Sequence, residues 1–175
     1  MVDAKAILNA VIGGYADDNK WVDARFEAIK RLSNTKVGDA GQDFVERLCN
    51  ELGFDTEFPE GRSRQSSWDV RIEGMTFELK TATEDVHGSF QFNHIRYHRP
   101  YDGLLCVGIS PDDIGFDAWS KADVATGAAG RLVSMDQGSS ATWKLTKRAG
   151  QLRPIEEFES RLLDLIVKLQ PGCPP

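Results

Sequence analysis

Residues 68–80 of the chain read WDVRIEGMTFELK, and this stretch predicts a β-hairpin that carries an unusual set of charges. Two short apolar strands are separated by Glu73-Gly74, which can form a two-residue turn between antiparallel strands. In that register Asp69 lies directly opposite Glu78. A four-residue loop centred on the same dipeptide gives the same pairing, whereas a loop of odd length would shift it by one residue.

The two opposed carboxylates call for a compensating positive charge. Like charges that face each other across a strand pair are destabilising, and the cost rises where the site is shielded from water. Lys80 lies on the same strand face as Glu78 and partly neutralises the pair. A divalent cation would do so more fully, and carboxylate oxygens suit magnesium, which typically takes one or two of them and keeps several waters. The hairpin thus indicates a metal site, and the alternative is a surface face with an ordinary ion pair.

Length and composition favour one domain that does not enter a membrane. A chain of 175 residues suits a single domain. No apolar run approaches the roughly 18–20 residues that a membrane span needs. The cysteines Cys49, Cys106 and Cys173 are scattered without metal-ligand spacing. We expect Cys49 and Cys106 to be core thiols of a cytoplasmic protein.

Helical and strand periods predict an α/β layer structure. Helices are expected near residues 4–12, 20–32 and 38–52, within 87–100 and at about 154–170, and strands at 103–110, 114–120 and 141–145, besides the hairpin. The domain would comprise N-terminal helices in 1–36, a core from about 37 to 150, and the C-terminal helix.

The charge distribution leaves room for a nucleic-acid partner. A net charge of −6 argues against a protein that coats nucleic acid non-specifically. Residues 137–155 nevertheless contain no acid, and they include Lys144, Lys147 and Arg148. Such a stretch could follow a phosphate backbone, and a solvated surface loop is the alternative.

Asp69, Glu78 and Lys80 together resemble the signature of the PD-(D/E)xK nuclease superfamily. The spacing is D-x8-E-x-K, a helix ending in LCNELGF precedes it, and FQFNHIR follows it. Within the superfamily, the chain is most similar to restriction-endonuclease-like proteins, over roughly residues 37–120. The resemblance implies a restriction-endonuclease-like core, with a central mixed β-sheet flanked by helices, in a single nuclease domain spanning residues 1–175. Trp68 stands where the family has its namesake proline.

The resemblance also implies a mechanism. Asp69, Glu78 and the main-chain carbonyl of Leu79 would bind Mg²⁺, with Mn²⁺ able to substitute. Lys80 would position or activate the attacking water and stabilise charge on the scissile phosphate. Gln91 would support the site, and hydrolysis would leave 5′-phosphate and 3′-hydroxyl ends.

One further participant stays open. In many relatives an acid on the first core helix approaches the metal, and here Gln42 occupies the matching position. Asp43 and Glu46 are nearby, and either could serve if the helix turns differently.

The implied partner is double-stranded DNA. Contacts to it are expected from a group of basic side chains: Arg62, Arg64, His94, Arg96, Lys144, Lys147 and Arg148. The function implied first is that of a type II restriction endonuclease acting as a homodimer, one of the enzymes of restriction-modification. The alternatives are a structure-selective or repair nuclease that nicks one strand, a catalytically inactive DNA-binding module, and an unrelated α/β domain with a chance ExK sequence.

Overall fold

The computed structural model describes residues 4–16, 20–59 and 66–170. Its α-helices are α1 (Ala4–Ala16), α2 (Asn34–Glu51), α3 (Lys121–Thr126) and α4 (Phe158–Leu169). Its strands are β1 (Thr56–Glu57), β2 (Val70–Ile72), β3 (Met75–Thr83), β4 (Ser89–Ile95), β5 (Gly103–Ile109), β6 (Ile114–Ser120), β7 (Leu132–Ser134), β8 (Trp143–Arg148) and β9 (Arg153–Pro154). Within these ranges, none of the helices has the length and apolar content of a membrane span.

The strands form two sheets. The main sheet has six strands in the order β1-β2-β3-β5-β6-β9, and the second has three in the order β4-β8-β7. β3 and β5 run parallel, while the other pairs are antiparallel, so the main sheet is mixed. α2 packs on β3, and α4 packs on β6. This arrangement confirms the predicted α/β class with a central mixed sheet flanked by helices.

The opening hairpin pairs as its sequence predicts. Ile72 is opposite Met75 and Val70 is opposite Phe77. The two turn residues, Glu73-Gly74, have φ values of 50° and 81°. Positive φ at both central residues is what a type I′ turn requires, and this turn matches the twist of the strands it joins.

β2 covers only the first third of β3. Their pairing ends at Phe77, whose carbonyl oxygen accepts a hydrogen bond from the backbone N–H of Asp69. Among the described residues, no strand pairs with residues 78–83 on this side. The sheet therefore has an open edge along most of β3.

The two faces of β3 belong to two different cores. Phe77 and Leu79 face the cluster that α2 and α4 cover. Glu78, Lys80 and Ala82 point to the other face, since side chains alternate along a strand. Ala82 belongs to the cluster that the second sheet covers. The polar residues of the hairpin are thus placed between the main sheet and the second sheet.

The helix predicted at residues 87–100 is wrong. β4 occupies this segment, with Phe90 and Phe92 buried and Gln91 and Asn93 exposed. That alternation has the period of a half-buried strand, which outweighs the local helix signals.

The helix predicted at residues 20–32 is also wrong. Turns lead into a short 3-10 helix at Glu27–Arg31, and Asp23 has a left-handed φ of 60°. Trp21 is buried, whereas Leu32 is exposed. The apolar residues of this segment therefore do not form the continuous stripe that would hold an amphipathic helix against the core.

Several other predictions are confirmed. All residues of β5 are buried, and Gly53 follows α2 with a left-handed φ of 80°. Phe158 of α4 packs against Phe116 of β6, with ring centroids 5.1 Å apart. Cys49 and Cys106 are buried thiols, and Cys173 lies outside the described residues.

A close approach between α2 and β3 yields a test of the packing. A Cβ atom at Gly41 would overlap the hydroxyl of Thr81, whereas a Cβ at Gly38 would meet nothing within 4 Å. We expect Gly41→Ala to lower the free energy of unfolding by about 1–3 kcal/mol, because the helix must move away from the sheet. Gly38→Ala, on the exposed side of the same helix, should raise it by roughly 0.5–1 kcal/mol. Urea denaturation of both variants measures the difference, and equal effects would contradict the close contact.

Candidate active site

The carboxylate of Glu78 is fully buried, with 0% of its side chain exposed, and cationic groups surround it. The Lys80 ammonium lies 2.7 Å from Oε1. The Arg96 side chain donates from Nε at 2.9 Å to Oε1 and from Nη2 at 2.6 Å to Oε2. The backbone N–H of Arg96 adds a longer bond of 3.3 Å to Oε1. A charge taken out of water needs such partners to remain ionised.

Arg96 also joins Glu78 to Asp69. Its Nη2 atom donates to Asp69 Oδ1 at 2.6 Å, the same distance as to Glu78 Oε2. One guanidinium nitrogen thus bridges the two carboxylates. With Lys80 included, two positive groups balance two negative ones.

Backbone contacts hold Asp69 in place. Its Oδ2 atom accepts a hydrogen bond of 2.9 Å from the N–H of Leu79, at the open edge of β3. The side-chain amide of Gln42, on α2, donates to the main-chain carbonyl of Asp69 at 3.4 Å. Gln42 is therefore brought to the site, while a metal role for Gln42, Asp43 or Glu46 stays a prediction.

A bulge in β4 places Arg96. The register of β4 against β8 shifts between Phe92 and Ile95, and His94 takes a left-handed φ of 57° there. After Phe92, strict alternation would bury residues 94 and 96. The extra residue of the bulge shifts the pattern by one, so that Ile95 is buried instead. Arg96 follows directly at the strand end, where its side chain reaches Glu78.

The cations around Glu78 lower its pKa. Burial opposes ionisation and would raise the pKa, but the charge of Lys80 and the hydrogen bonds and charge of Arg96 outweigh it. The same contacts raise the pKa of Arg96 against the effect of its own burial. Glu78 and Arg96 are therefore both charged at neutral pH.

The carboxylates of Asp69 and Glu78 supply oxygen ligands of the kind that magnesium binds. Among the described residues, no group of three or more His, Cys, Asp or Glu side chains could hold a metal ion. Magnesium, however, usually binds through one or two carboxylates and retains waters. Arg96 Nη2 acts as a stand-in cation, because it lies at equal distance from an oxygen of Asp69 and one of Glu78.

A cleft of about 630 Å³ runs beside the cluster along the open edge of β3. Its floor includes residues 79–83, one wall comes from the first turns of α2, and the other from β4. Lys80 and Gln91 both line it, as do the acids Asp39 and Asp85. The cleft is thus polar and of mixed charge.

Because β4 is a strand and not the predicted helix, a different residue lies on the same face as Gln91. On a strand, Asn93 and not His94 shares the face of Gln91. Gln91 Nε2 lies 3.4 Å from Asp85 Oδ2, a long hydrogen bond. The His94 ring at the bulge has its Nδ1 atom 3.3 Å from Thr142 Oγ1.

Besides His94 and Arg96, the predicted DNA-binding cations fall into three groups. Lys144 and Arg148 alternate with the buried Leu145 along β8, so they lie on its outer face. Lys147 lies on the inner face, with its Nζ atom 4.8 Å from the centroid of the Trp119 ring. Arg62 and Arg64 lie outside the described residues.

Two features of the site were missed from the sequence. Arg96, a predicted DNA-binding residue, holds the two carboxylates, a contact that the sequence does not indicate, and its binding to DNA stays a prediction. The Tyr101 hydroxyl is buried without a hydrogen-bond partner in the described part of the chain, and its pKa is raised by burial and by the charge of Glu78. For Arg96, the available signal was a basic residue directly after the segment FQFNHI. For Tyr101, nothing in the local sequence indicates the buried hydroxyl.

Comparison with known proteins gives little further guidance. No family model matches the sequence, and no curated protein shows significant similarity to it. A solved structure of a bacterial homing endonuclease, I-Ssp6803I, is similar with a TM-score of 0.46 and 16% sequence identity, over 78% of this chain and 92% of that one.

The lowered pKa of Glu78 makes a prediction about acid stability. A carboxyl group with a lowered pKa stabilises the fold above its unfolded value of 4.5, and that contribution is lost as the pH falls through the folded pKa. The free energy of unfolding of the wild type should therefore fall between about pH 5 and pH 3 more steeply than that of Glu78→Gln. At neutral pH the variant should be less stable by about 3–5 kcal/mol, because two cations lose a buried partner. Urea denaturation across a pH series measures both effects, and parallel curves would contradict the assignment.

Proposed function

We propose that the protein is a magnesium-dependent DNA endonuclease that hydrolyses phosphodiester bonds to 5′-phosphate and 3′-hydroxyl ends. The observation that carries this proposal is the convergence of Asp69, Glu78 and Lys80 in one ion cluster, of which Lys80 also lines a polar cleft along the open strand edge. Glu78 and Lys80 belong to β3 and Asp69 directly precedes β2, and the three meet although burying them is costly. Costly clusters of titratable groups in clefts are characteristic of functional sites.

Each residue has a role that follows from its position. Asp69 and Glu78 would hold Mg²⁺ together with the Leu79 carbonyl, which points to the same side of β3 as the Leu79 N–H that binds Asp69. When bound, Mg²⁺ would polarise the scissile phosphate and favour formation of a nucleophile from water. Lys80 lies in the cleft with its ammonium beside Glu78, where it can orient the attacking water and stabilise negative charge on the phosphate. Gln91, on the facing wall, can donate a hydrogen bond to the substrate or to the water.

The proposed substrate is double-stranded DNA. The outer face of β8 offers Lys144 and Arg148, and across from them β4 offers Gln91 and Asn93. A local positive face can track a phosphate backbone even when the net charge is −6. In the most specific form of the proposal the protein is a type II restriction endonuclease, in which a homodimer would present one site to each strand.

Arg96 supports a second candidate, a catalytically inactive DNA-binding module. The protein's own side chains already neutralise both carboxylates, so the cluster can serve as a structural ion pair between the two sheets. In that case the cleft would bind DNA without cutting it.

Plasmid cleavage separates the two candidates. We expect supercoiled plasmid to be cut in Mg²⁺ or Mn²⁺ and to stay intact in a chelator. Lys80→Ala and Asp69→Asn should each reduce the rate by at least about 10²-fold, because each removes a charged group at the reacting phosphate. Lys168→Ala, an exposed lysine on α4 that pairs with Asp123 at 3.0 Å, is the matched control and should cut normally.

The products of that reaction refine the assignment. Discrete linear fragments favour a restriction enzyme, nicked circles favour a single-strand cutter, and a smear favours a non-specific nuclease. DNA binding without cleavage on varied substrates would favour the inactive module. Full activity in Lys80→Ala would overturn the proposed mechanism.

DNA affinity tests the cationic face of β8. Lys144→Gln should weaken binding to a short duplex and reduce the slope of log affinity against log salt concentration by about 0.9, as expected for one lost phosphate contact. Lys147→Gln is the control, since that ammonium lies over Trp119 on the inner face. Fluorescence anisotropy in a chelator over a salt series measures both. Equal slopes for the two variants would contradict the assigned face.

A further inference from the structure

The place where a metal ion would bind is held by a side chain of the protein itself. Arg96 Nη2 lies 2.6 Å from an oxygen of Asp69 and 2.6 Å from an oxygen of Glu78. A magnesium ion held by the same two oxygens would need distances of about 2.0–2.1 Å. The ion and the nitrogen would therefore compete for the same two oxygens.

We propose that Arg96 is a displaceable internal counter-ion. In the absence of metal it neutralises Asp69 and Glu78, and its guanidinium leaves this position when a divalent cation binds. This inference rests on the metal site of the proposed function.

Simultaneous occupancy is excluded by charge and by space. Two cations between one pair of carboxylates would lie within a few ångströms of each other at a site that is largely removed from solvent, where like charges repel strongly. Carboxylate oxygens accept only a limited number of partners, and Arg96 already takes up both oxygens of Glu78.

The surroundings of Arg96 allow the exchange. Its side chain is 15% exposed and follows the end of β4, so it is partly accessible to solvent. Its Nη1 atom donates to the Ser66 carbonyl at 3.3 Å, and Arg99 Nη1 donates to the same carbonyl. Arg99 therefore keeps an anchor on the segment that leads to Asp69 when Arg96 leaves.

Two properties follow from this arrangement. The site keeps its geometry without metal, because a cation is always present between the carboxylates. Metal affinity is reduced, because each ion that binds must break the contacts of Arg96. Removal of Arg96 should then strengthen metal binding, which is the opposite of what the loss of a ligand would do.

Calorimetric titration of the DNA-free protein with MnCl₂ and with MgCl₂ tests the inference. We expect Arg96→Met to bind either ion with a Kd at least about tenfold lower than that of the wild type. Arg161→Met is the matched control, because Arg161 is another partly buried arginine that holds a carboxylate, Asp117, at 3.0 Å. It should bind with the wild-type Kd. An unchanged or higher Kd in Arg96→Met, or no binding by any of these proteins, would overturn the inference.

A measurement on the wild type avoids reliance on a variant that fails to fold. The ¹⁵N-¹H signal of the Arg96 Nε–H group, identified by its loss in Arg96→Lys, should shift on titration with MgCl₂ and saturate with the calorimetric Kd. A signal that stays unshifted at saturating Mg²⁺ would overturn the inference.

Arg96→Lys keeps the charge but loses the fork that bridges both carboxylates, so its Kd should fall below that of the wild type. An equal Kd would count against displacement.

The outcome is separable from that of the proposed function. Displacement of Arg96 by metal without any DNA cleavage would reject the nuclease and leave the inference standing. Metal-dependent cleavage with Arg96 still bound to the carboxylates would support the nuclease and reject the inference.

Discussion

The burial of one negative charge, on Glu78, governs how the two sheets of this protein meet. A carboxylate without water must be matched by cations at hydrogen-bonding distance, and only the second sheet can bring Arg96 there. The ion cluster therefore fastens the end of β4 to the middle of β3. A change in the angle between the sheets would separate Arg96 from Glu78. The geometry of the site therefore depends on how the two sheets pack. The bulge at His94 is the local irregularity that makes both possible.

The sequence predicted what depends on neighbours in the chain. The hairpin register followed from a two-residue turn and a period of two, and the buried run of β5 identified a central strand. The strand β4 is harder to recognise from the sequence, because its alternation is interrupted between Phe92 and Ile95, where the bulge adds a residue. The second sheet is predicted only in part: the strand expected at 141–145 overlaps β8, whereas β7 is short and largely exposed and shows no clear strand pattern. The fold class was thus accessible, and the arrangement of one sheet on the other was not.

The sequence predicted which residues of the hairpin form the candidate site, but it did not predict which group neutralises their charge. Asp69, Glu78 and Lys80 do meet, as their spacing indicated. The expectation of a divalent cation rested on the repulsion between two carboxylates, yet Arg96 supplies a positive charge from 18 residues beyond Glu78. Opposed acids in a hairpin are therefore not sufficient evidence for a metal site. Only a contact between distant parts of the chain reveals whether a protein group already provides the charge, and local patterns carry no information on such contacts.

The short reach of β2 has a consequence for how molecules of this protein meet one another. A strand edge with unpaired N–H and C=O groups can accept a strand from a neighbouring molecule, which is a common route to aggregation. Here the exposed length of β3 lies at the bottom of a cleft between α2 and β4, and Asp69 already binds the N–H of Leu79. A strand from another molecule would have to enter between two walls and displace a carboxylate that Arg96 holds. The same recess that exposes β3 to a ligand also protects this edge from pairing with a strand of another molecule.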